Sequence, residues 1–194
     1  MTRVGILLFD QVEELDAVGP WEVFGMWAKL CPEEAEVVAF APRAGAVRAS
    51  KGLTLYADRS AADVGHLDVL VHPGGAGTRP QLGDPEHLEW VRNQRERVPL
   101  MTSVCTGSLV FAAAGLLAGR PATTHWGALD LLAELDPSID VRRDERFVDD
   151  GDVVTSSGVS AGIDMALHLV ARLAGVERAR EVRRRMQYDP APPV

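Results

Sequence analysis

The run Val98-Pro99-Leu100-Met101-Thr102-Ser103-Val104-Cys105-Thr106-Gly107-Ser108-Leu109-Val110-Phe111-Ala112-Ala113-Ala114-Gly115-Leu116-Leu117 governs the reading of the whole chain. Its opening, Val98 to Thr102, is short, apolar and β-branched enough for a buried strand. From Leu109 to Leu117 it is rich in helix formers, and the helix is expected to close near Gly119. Cys105 therefore stands where a strand turns into a helix, with the small residues Ser103 and Gly107 two positions away on either side. This is the layout of a nucleophile elbow, in which a sharp turn lifts one side chain above the sheet and small neighbours make room for it. The helix N-terminus is expected to favour thiolate over thiol, taking a cysteine from ~8.5 to roughly 3.5–7.5. Its free N–H groups, beginning with Thr106, would face an anionic intermediate. The competing reading is a buried structural cysteine in a seam of small residues.

Around this stretch lie 194 residues, a length that suits one domain (residues 1–194) with a substantial core. Apolar residues make up 46% and charged ones 25%, values of an ordinary globular chain rather than a disordered one. The net charge of −8 argues against general nucleic-acid affinity. Two cysteines, Cys31 and Cys105, form no disulfide framework and no thiolate metal cluster, so no metal is expected and a reducing cytoplasm fits best. The apolar run Val4 to Phe9 is too short for a signal segment, and nothing approaches the ~20 apolar residues of a membrane span.

Upstream, Arg3 to Phe9 reads as a strand buried on both faces, followed by a polar loop from Asp10 to Val18 that carries four acids. Gly19-Pro20 is expected to open a helix from Trp21 to Leu30, with Val23, Phe24 and Trp27 at helical spacing as core or interface. Cys31 closes it without basic neighbours that would activate it. Glu36 to Ala41 is a second strand, and Val47 to Ala57 a β-ribbon bent at Lys51-Gly52. Leu67 to Val71 is a further buried strand running into His72-Pro73-Gly74-Gly75-Ala76-Gly77. The cluster lacks the Gly-Lys-Ser/Thr ending of a phosphate loop, so its glycines are better read as close backbone approach, with Gly75 offering an N–H to an oxyanion. His72, at a strand end, reads as either structural or functional.

Downstream, Asp84-Pro85 starts a helix to about Arg97, and Ala122-Thr123-Thr124-His125-Trp126 precedes a helix to Leu135. Short strands are expected in Val141 to Val148 and at Val153-Val154, about a turn at Asp149-Asp150-Gly151. Ser156-Ser157-Gly158-Val159-Ser160 leads into a helix from Ala161 to Ala174, and Val176 opens an arginine-rich last helix with a solvated or subunit-facing surface. The tail Asp189 to Val194 cannot be helical. Strand–helix alternation with glycine-rich loops gives an α/β open sheet with helices on both faces, and ligands of such sheets bind beyond the carboxyl ends of the strands. The loops near Asp16, Gly75, Cys105 and Ser157 are the candidates for that edge.

Several of these segments carry a family likeness. Leu15-Asp16-Ala17-Val18-Gly19-Pro20-Trp21-Glu22-Val23-Phe24, Pro73-Gly74-Gly75, Ser103 to Ser108, Ala122 to Trp126 and Ser160-Ala161-Gly162-Ile163-Asp164 together resemble the ThiJ/PfpI superfamily of class I glutamine amidotransferase-like proteins. Within it, the Asp before Gly-Pro, the Cys-Thr-Gly-Ser elbow, the Thr-Thr-His-Trp motif and the Tyr-x-Pro-Ala-Pro-Pro tail are similar to the isocyanide hydratases. The likeness implies a flavodoxin-like three-layer sandwich with a mainly parallel sheet, a homodimer, and hydration of a small-molecule isocyanide to an N-substituted formamide without cofactor. It implies Cys105 as nucleophile, Asp16 as acid and then base, and Thr106 as the residue that orients both acid and water. Gly75, Ser157, Gly158 and His125 would surround oxyanion or substrate. Glu22 is the second acid near the motif, expected to pack on its helix.

The position after the nucleophile holds Thr106, whereas superfamily peptidases place a histidine there, so a Cys-His protease is disfavoured. Two other readings stay open. One is another cysteine chemistry of the superfamily, glyoxalase-like or repair. The other is a sensor domain of the AraC-regulator type, in which a similar domain precedes a helix-turn-helix module. Those chains run well beyond this length, and many lack the nucleophile that Cys105 supplies here.

Overall fold

The computed structural model describes residues 1–190. Its first half comprises β1 (Thr2–Leu7), α1 (Glu14–Leu30), β2 (Ala35–Ala41), β3 (Gly45–Arg48), β4 (Thr54–Ala57), β5 (Arg59–Ser60), β6 (Val69–His72), α2 (Thr78–Gln81) and α3 (Pro85–Arg97). The second half follows as β7 (Leu100–Val104), α4 (Gly107–Ala113), β8 (Pro121–Ala122), a 3-10 turn at Trp126–Ala128, α5 (Leu129–Leu135), β9 (Asp140–Val141), β10 (Phe147–Asp149), β11 (Val153–Ser156), α6 (Ala161–Ala174) and α7 (Val176–Arg185). Seven strands form the central sheet in the order β10-β11-β7-β6-β1-β2-β5. Every pairing in it is parallel except β10 with β11. The continuous apolar character of β6 and β7 follows from this position, since every residue of both strands is buried.

Helices form two groups, α1 with α6 and α7, and α4 with α2, α3 and α5. They are the outer layers of a three-layer sandwich. Trp27, Phe24, Phe40 and Phe111 are the largest side chains buried in its core. Phe24 and Trp27 thus belong to the core rather than to an interface. Trp27 Nε1 donates to Glu34 at 2.8 Å, and Arg178 of α7 grips the same carboxylate at 2.9 and 3.1 Å, so the arginine-rich helix is tied down beside β2.

Three boundaries differ from the sequence reading. The acidic stretch after β1 is not a loop as far as Val18: α1 begins at Glu14, and Pro20 lies inside it. Proline in a helix interior removes one i→i−4 bond. Here its ring is buried against α6 at Gly162, where a Cβ would sit 3.4 Å from Pro20 Cγ, and this packing offsets the loss. The elbow helix α4 stops at Ala113, because Gly115 takes a left-handed conformation at φ 84° and turns the chain away. Between Val141 and Val148 only the two ends are strand, β9 and β10. Asp189 and Pro190 are not helical, while the rest of the expected tail, residues 191–194, lies outside the described residues.

Gly107 opens α4 directly beneath β6, and a Cβ there would collide with His72 O and come within 2.8 Å of Pro73 O. Backbone cannot yield as a flexible side chain can. Gly107→Ala should therefore lower unfolding stability by about 2–4 kcal/mol. Denaturant titration measures this, and an unchanged midpoint would show that α4 can back away from the sheet.

Candidate active site

Four chain segments converge beyond the carboxyl ends of the parallel strands. Asp16 comes from the first turn of α1 after β1, Gly74-Gly75 follow β6, Cys105 follows β7, and Ser157 to Val159 follow β11. Because β1, β6, β7 and β11 lie close together in the sheet, residues far apart in sequence meet here.

Cys105 has φ 56°, a left-handed conformation that a non-glycine residue holds only when its surroundings enforce it. The enforcement is visible on both sides of the residue. Its N–H donates to Ser156 O and Ser157 O at 3.1 and 3.2 Å. Its carbonyl accepts the hydroxyls of Thr124 at 2.8 Å and Ser108 at 3.1 Å. The sulfur is almost enclosed, with the residue 6% exposed, and the backbone N–H groups of Thr106 and Val159 lie where they favour its charged form.

Asp16 is fully buried. Its Oδ2 accepts the Gly74 N–H at 2.9 Å. Its carboxyl is close enough to the Cys105 side chain for each group to shift the other's titration, while Oδ1 stays buried without a hydrogen-bond partner. Burial is the main force that raises the Asp16 pKa to about 7, against the pull of the Gly74 N–H, with the charge of Glu13 adding to the rise. Burial also pushes the Cys105 thiol up, to about 12, and the Asp16 charge adds to it while the two amides oppose it. The expected low-pKa cysteine is therefore corrected. α4 spans only seven residues, and its N-terminus does not outweigh burial next to a carboxylate. The two groups titrate as one unit in which losing both protons is strongly disfavoured. A thiolate at neutral pH consequently calls for the neighbouring carboxyl to keep its proton.

The remaining sequence candidates take different places around this pair. Thr106 Oγ1 accepts the Gly75 N–H at 3.0 Å and the Thr78 hydroxyl at 3.0 Å. The Gly75 amide is thus engaged by Thr106, and the N–H groups at the sulfur are those of Thr106 and Val159. Gly74 has no room for a side chain, since a Cβ would sit 2.5 Å from Thr106 N, 2.6 Å from Thr106 Oγ1 and 2.9 Å from Asp16 Oδ2. His125 caps the turn at Trp126 by accepting the Gly127 N–H at 3.1 Å, and its ring lies against Gly158, where a Cβ would strike it. His125 braces the loop that carries Val159, and Trp126 is 80% exposed beside it. Ser157 joins the site through its backbone, accepting from Cys105 and donating to Arg146 O at 2.9 Å. His72 is structural: Nδ1 bonds Pro73 O at 2.9 Å, and Nε2 meets His87 Nε2 at 3.1 Å.

Sequence reasoning gave no role to Val159, Thr124, Ser108 and Thr78, while Gly74 makes the close backbone approach expected of the glycine pair, with its N–H on Asp16. The four act through a backbone amide or as hydroxyl props, roles that leave no mark on residue type. Val159 also lines a surface groove of about 500 Å³ with Glu13, Glu14, Leu15, Lys51 and Leu53. Among the described residues, Cys31, Glu33 and Glu34 have the spacing of metal ligands. Glu34, however, is already held by Arg178 and Trp27.

The raised pKa of Asp16 has a consequence for stability. The folded protein keeps this proton up to about pH 7, whereas an unfolded chain releases it near ~3.9. Between those values the unfolded state binds fewer protons, so stability falls as pH rises. Asp16→Asn keeps an acceptor for Gly74 and removes the buried charge. It should melt several degrees, on the order of 5 °C, above the parent at about pH 8, and the difference should vanish below about pH 4. Melting curves across pH measure this, and an asparagine variant less stable at alkaline pH would overturn the assignment of a strained carboxyl.

The family model for the DJ-1/PfpI family matches residues 2–172. The chain is 41% identical over 200 residues to an isonitrile hydratase of Pseudomonas putida, an alignment covering 98% of this chain and 80% of that protein. It is 36% identical over 139 residues to the HTH-type transcriptional regulator CdhR of Pseudomonas aeruginosa, covering 71% of this chain and 40% of the regulator. Among solved structures, a ThiJ/PfpI family protein from Pseudomonas syringae superposes with a TM-score of 0.89 at 33% identity, covering all of this chain and 77% of the other. Drosophila melanogaster DJ-1beta shares the fold, with a TM-score of 0.85 at 23% identity over 97% of this chain and 98% of that one. A parallel sheet with a strained cysteine elbow at its carboxyl edge, matched over nearly its full length, makes this chain a member of the DJ-1/PfpI family.

Proposed function

We propose that this chain, acting as one domain over residues 1–194, is an isocyanide hydratase that uses Cys105 as nucleophile and Asp16 as its proton carrier. The observation that carries the reading is the buried Asp16 carboxyl, coupled to the thiol and holding its proton to about pH 7. Likeness to the isonitrile hydratase of Pseudomonas putida over 98% of the chain supports it.

The chemistry follows from what an isocyanide needs. Its terminal carbon accepts the Cys105 sulfur and becomes carbanionic, so it must collect a proton; the Asp16 carboxyl supplies one, giving a thioimidate and a carboxylate. That carboxylate takes a proton from water as the oxygen adds to the thioimidate carbon, and passes it to the nitrogen. When the C–S bond breaks, the new hydroxyl returns a proton to Asp16, and an N-substituted formamide leaves with the thiolate restored. Thr106 and Val159 stabilise the sulfur's charge through their amides, and the Thr106 hydroxyl keeps Gly75, and with it the oxygen-facing loop, in register with acid and water. No step requires a cofactor.

Exposed apolar side chains support a homodimer. Leu15, Val18 and Trp21 project from α1 at helical spacing, and Leu53 and Tyr56 from the β3–β4 ribbon. An apolar hollow of about 320 Å³ between them takes in Val18, Trp21, Leu55 and Tyr56. Contiguous exposed apolar side chains of this kind mark interaction surfaces. No described helix is long and apolar enough to cross a membrane, and two free thiols suit a reducing cytoplasm.

Formamide release from aliphatic and aromatic isocyanides tests the reaction. The parent should turn over, Cys105→Ala should not, and Asp16→Asn should fall by ~10²–10⁴-fold. A parent inactive on every isocyanide would remove the proposal, and a near-normal Asp16→Asn would shift the acid's role to another group. Light scattering should return twice the 20.9 kDa chain mass, and Trp21→Glu should halve it; a monomeric parent at micromolar concentration would reject the dimer.

A further inference from the structure

The loop Ser157 to Ser160 adjoins Cys105, whose N–H donates to Ser157 O at 3.2 Å, and the Val159 amide favours the charged form of the sulfur. Val159 has φ 52°, an unfavourable conformation for a β-branched residue. The first turn of α6 holds the loop from one side, through Ala161 N–H to Gly158 O at 3.1 Å and Gly162 N–H to Val159 O at 3.4 Å, and further contacts come from other parts of the chain. From within, His125 lies against Gly158. From outside, Arg146 acts twice: its carbonyl accepts the Ser157 N–H at 2.9 Å, and its guanidinium reaches Ser160 Oγ at 3.5 Å and Asp164 Oδ2, with Nε at 2.9 Å. Asp164 is in the first turn of α6, the helix that this loop starts.

The other oxygen of Asp164 is taken from a distant part of the chain. Tyr188 Oη donates to Asp164 Oδ1 at 2.9 Å. Tyr188 reaches it because Gln187, at φ 51°, turns the chain back after α7. Arg183 secures the turn by donating to Tyr188 O at 2.9 Å and to Asp189 at 2.9 Å. One carboxylate thus receives a guanidinium on one oxygen and a phenol on the other. An isolated exposed ion pair contributes little, but a carboxylate shared by two donors from different elements costs less side-chain freedom per bond and fixes a direction.

We propose that Arg146, Asp164 and Tyr188 form a clamp that positions the Val159 amide on the Cys105 sulfur, so that the segment after α7 is part of the catalytic unit. These are positioning residues, since none touches the sulfur. The clamp deepens the reading of Cys105 as nucleophile and rests on it. Its action is on the thiolate: a loosened loop withdraws one N–H from the charged sulfur, while the Asp16 carboxyl that faces the sulfur stays as it was.

The test is the rate of Cys105 alkylation by iodoacetamide from roughly pH 5 to 10, with Tyr188→Phe, which keeps the ring and loses one hydrogen bond. Its rate at each pH across this range, all of it below the Cys105 pKa, should fall ~3–10-fold with the thiolate fraction. Asp164→Asn, which weakens both arms, should lower it further. With an isocyanide substrate, kcat should fall by the same factor and KM hold. Arg143→Gln, which breaks an exposed pair with Asp130, should change none of these. A Tyr188→Phe profile that overlays the parent would overturn the clamp, as would equal shifts in Arg143→Gln. Because alkylation needs no isocyanide, failure of the clamp is distinct from failure of the reaction, which would show as a parent that alkylates normally and releases no formamide. A parent whose Cys105 does not alkylate at all would overturn both.

Discussion

A carboxyl with no exposure to water, held by one backbone N–H beside a thiol, is the constraint on which the rest of the site depends. Asp16 receives the Gly74 amide on one oxygen and leaves the other unpartnered against Cys105. Burying an acid in this way is unfavourable unless it keeps its proton. The arrangement therefore keeps a carboxyl protonated beside a thiol up to about pH 7. Everything nearby serves that pairing: Gly74 has no side chain because Thr106 and Asp16 occupy its space, and Thr106 ties the glycine loop to the elbow through Gly75.

The elbow depends on the same economy of contacts. A left-handed Cys105 is strained, and the strain is held by four backbone and hydroxyl hydrogen bonds from β11, the Thr124 turn and α4. Two of these anchor points, Ser156 and Ser157, adjoin the loop that carries Val159. The geometry of Cys105 and the placement of the Val159 amide are consequently not independent, since both depend on the β11–α6 connection.

The location of α1 links the site to the outer surface of the molecule. Its first turn holds Asp16, its buried face holds Phe24 and Trp27 in the core, and its outward face presents Leu15, Val18 and Trp21. Glu13 and Glu14, at its start, fasten the β3–β4 ribbon: both carboxylates accept from Ser50 at 3.2 Å, and Glu14 also accepts the Lys51 amide at 2.7 Å. One helix thus carries the buried acid, one wall of the groove and the apolar face.

Local order in the sequence was enough for much of this. Short apolar runs at Leu67–Val71 and Val98–Thr102 read as buried strands, which the structure places at Val69–His72 and Leu100–Val104, and small residues around Cys105 signal a tight turn into a helix because nothing larger fits beneath β6. Strand–helix alternation then sets a parallel sheet, and the family motifs single out Asp16, Cys105 and Thr106. Other features depend on distance in space. The start of α1 at Glu14 rather than Trp21 was hidden because Pro20 normally marks a first turn, and only packing against Gly162 of α6 makes it tolerable further in. The direction of the Cys105 pKa reversed because a helix N-terminus is visible in sequence, whereas burial and the proximity of Asp16, 89 positions away, are not. Val159 and Thr124 act through an amide and a hydroxyl aimed by the fold, and Tyr188 reaches Asp164 only because Gln187 turns the chain back. Residue types and their spacing determine which elements form and what chemistry they carry; which groups share a buried volume, and so which proton is held at neutral pH, is decided by tertiary packing, because desolvation and charge act through space and not along the chain.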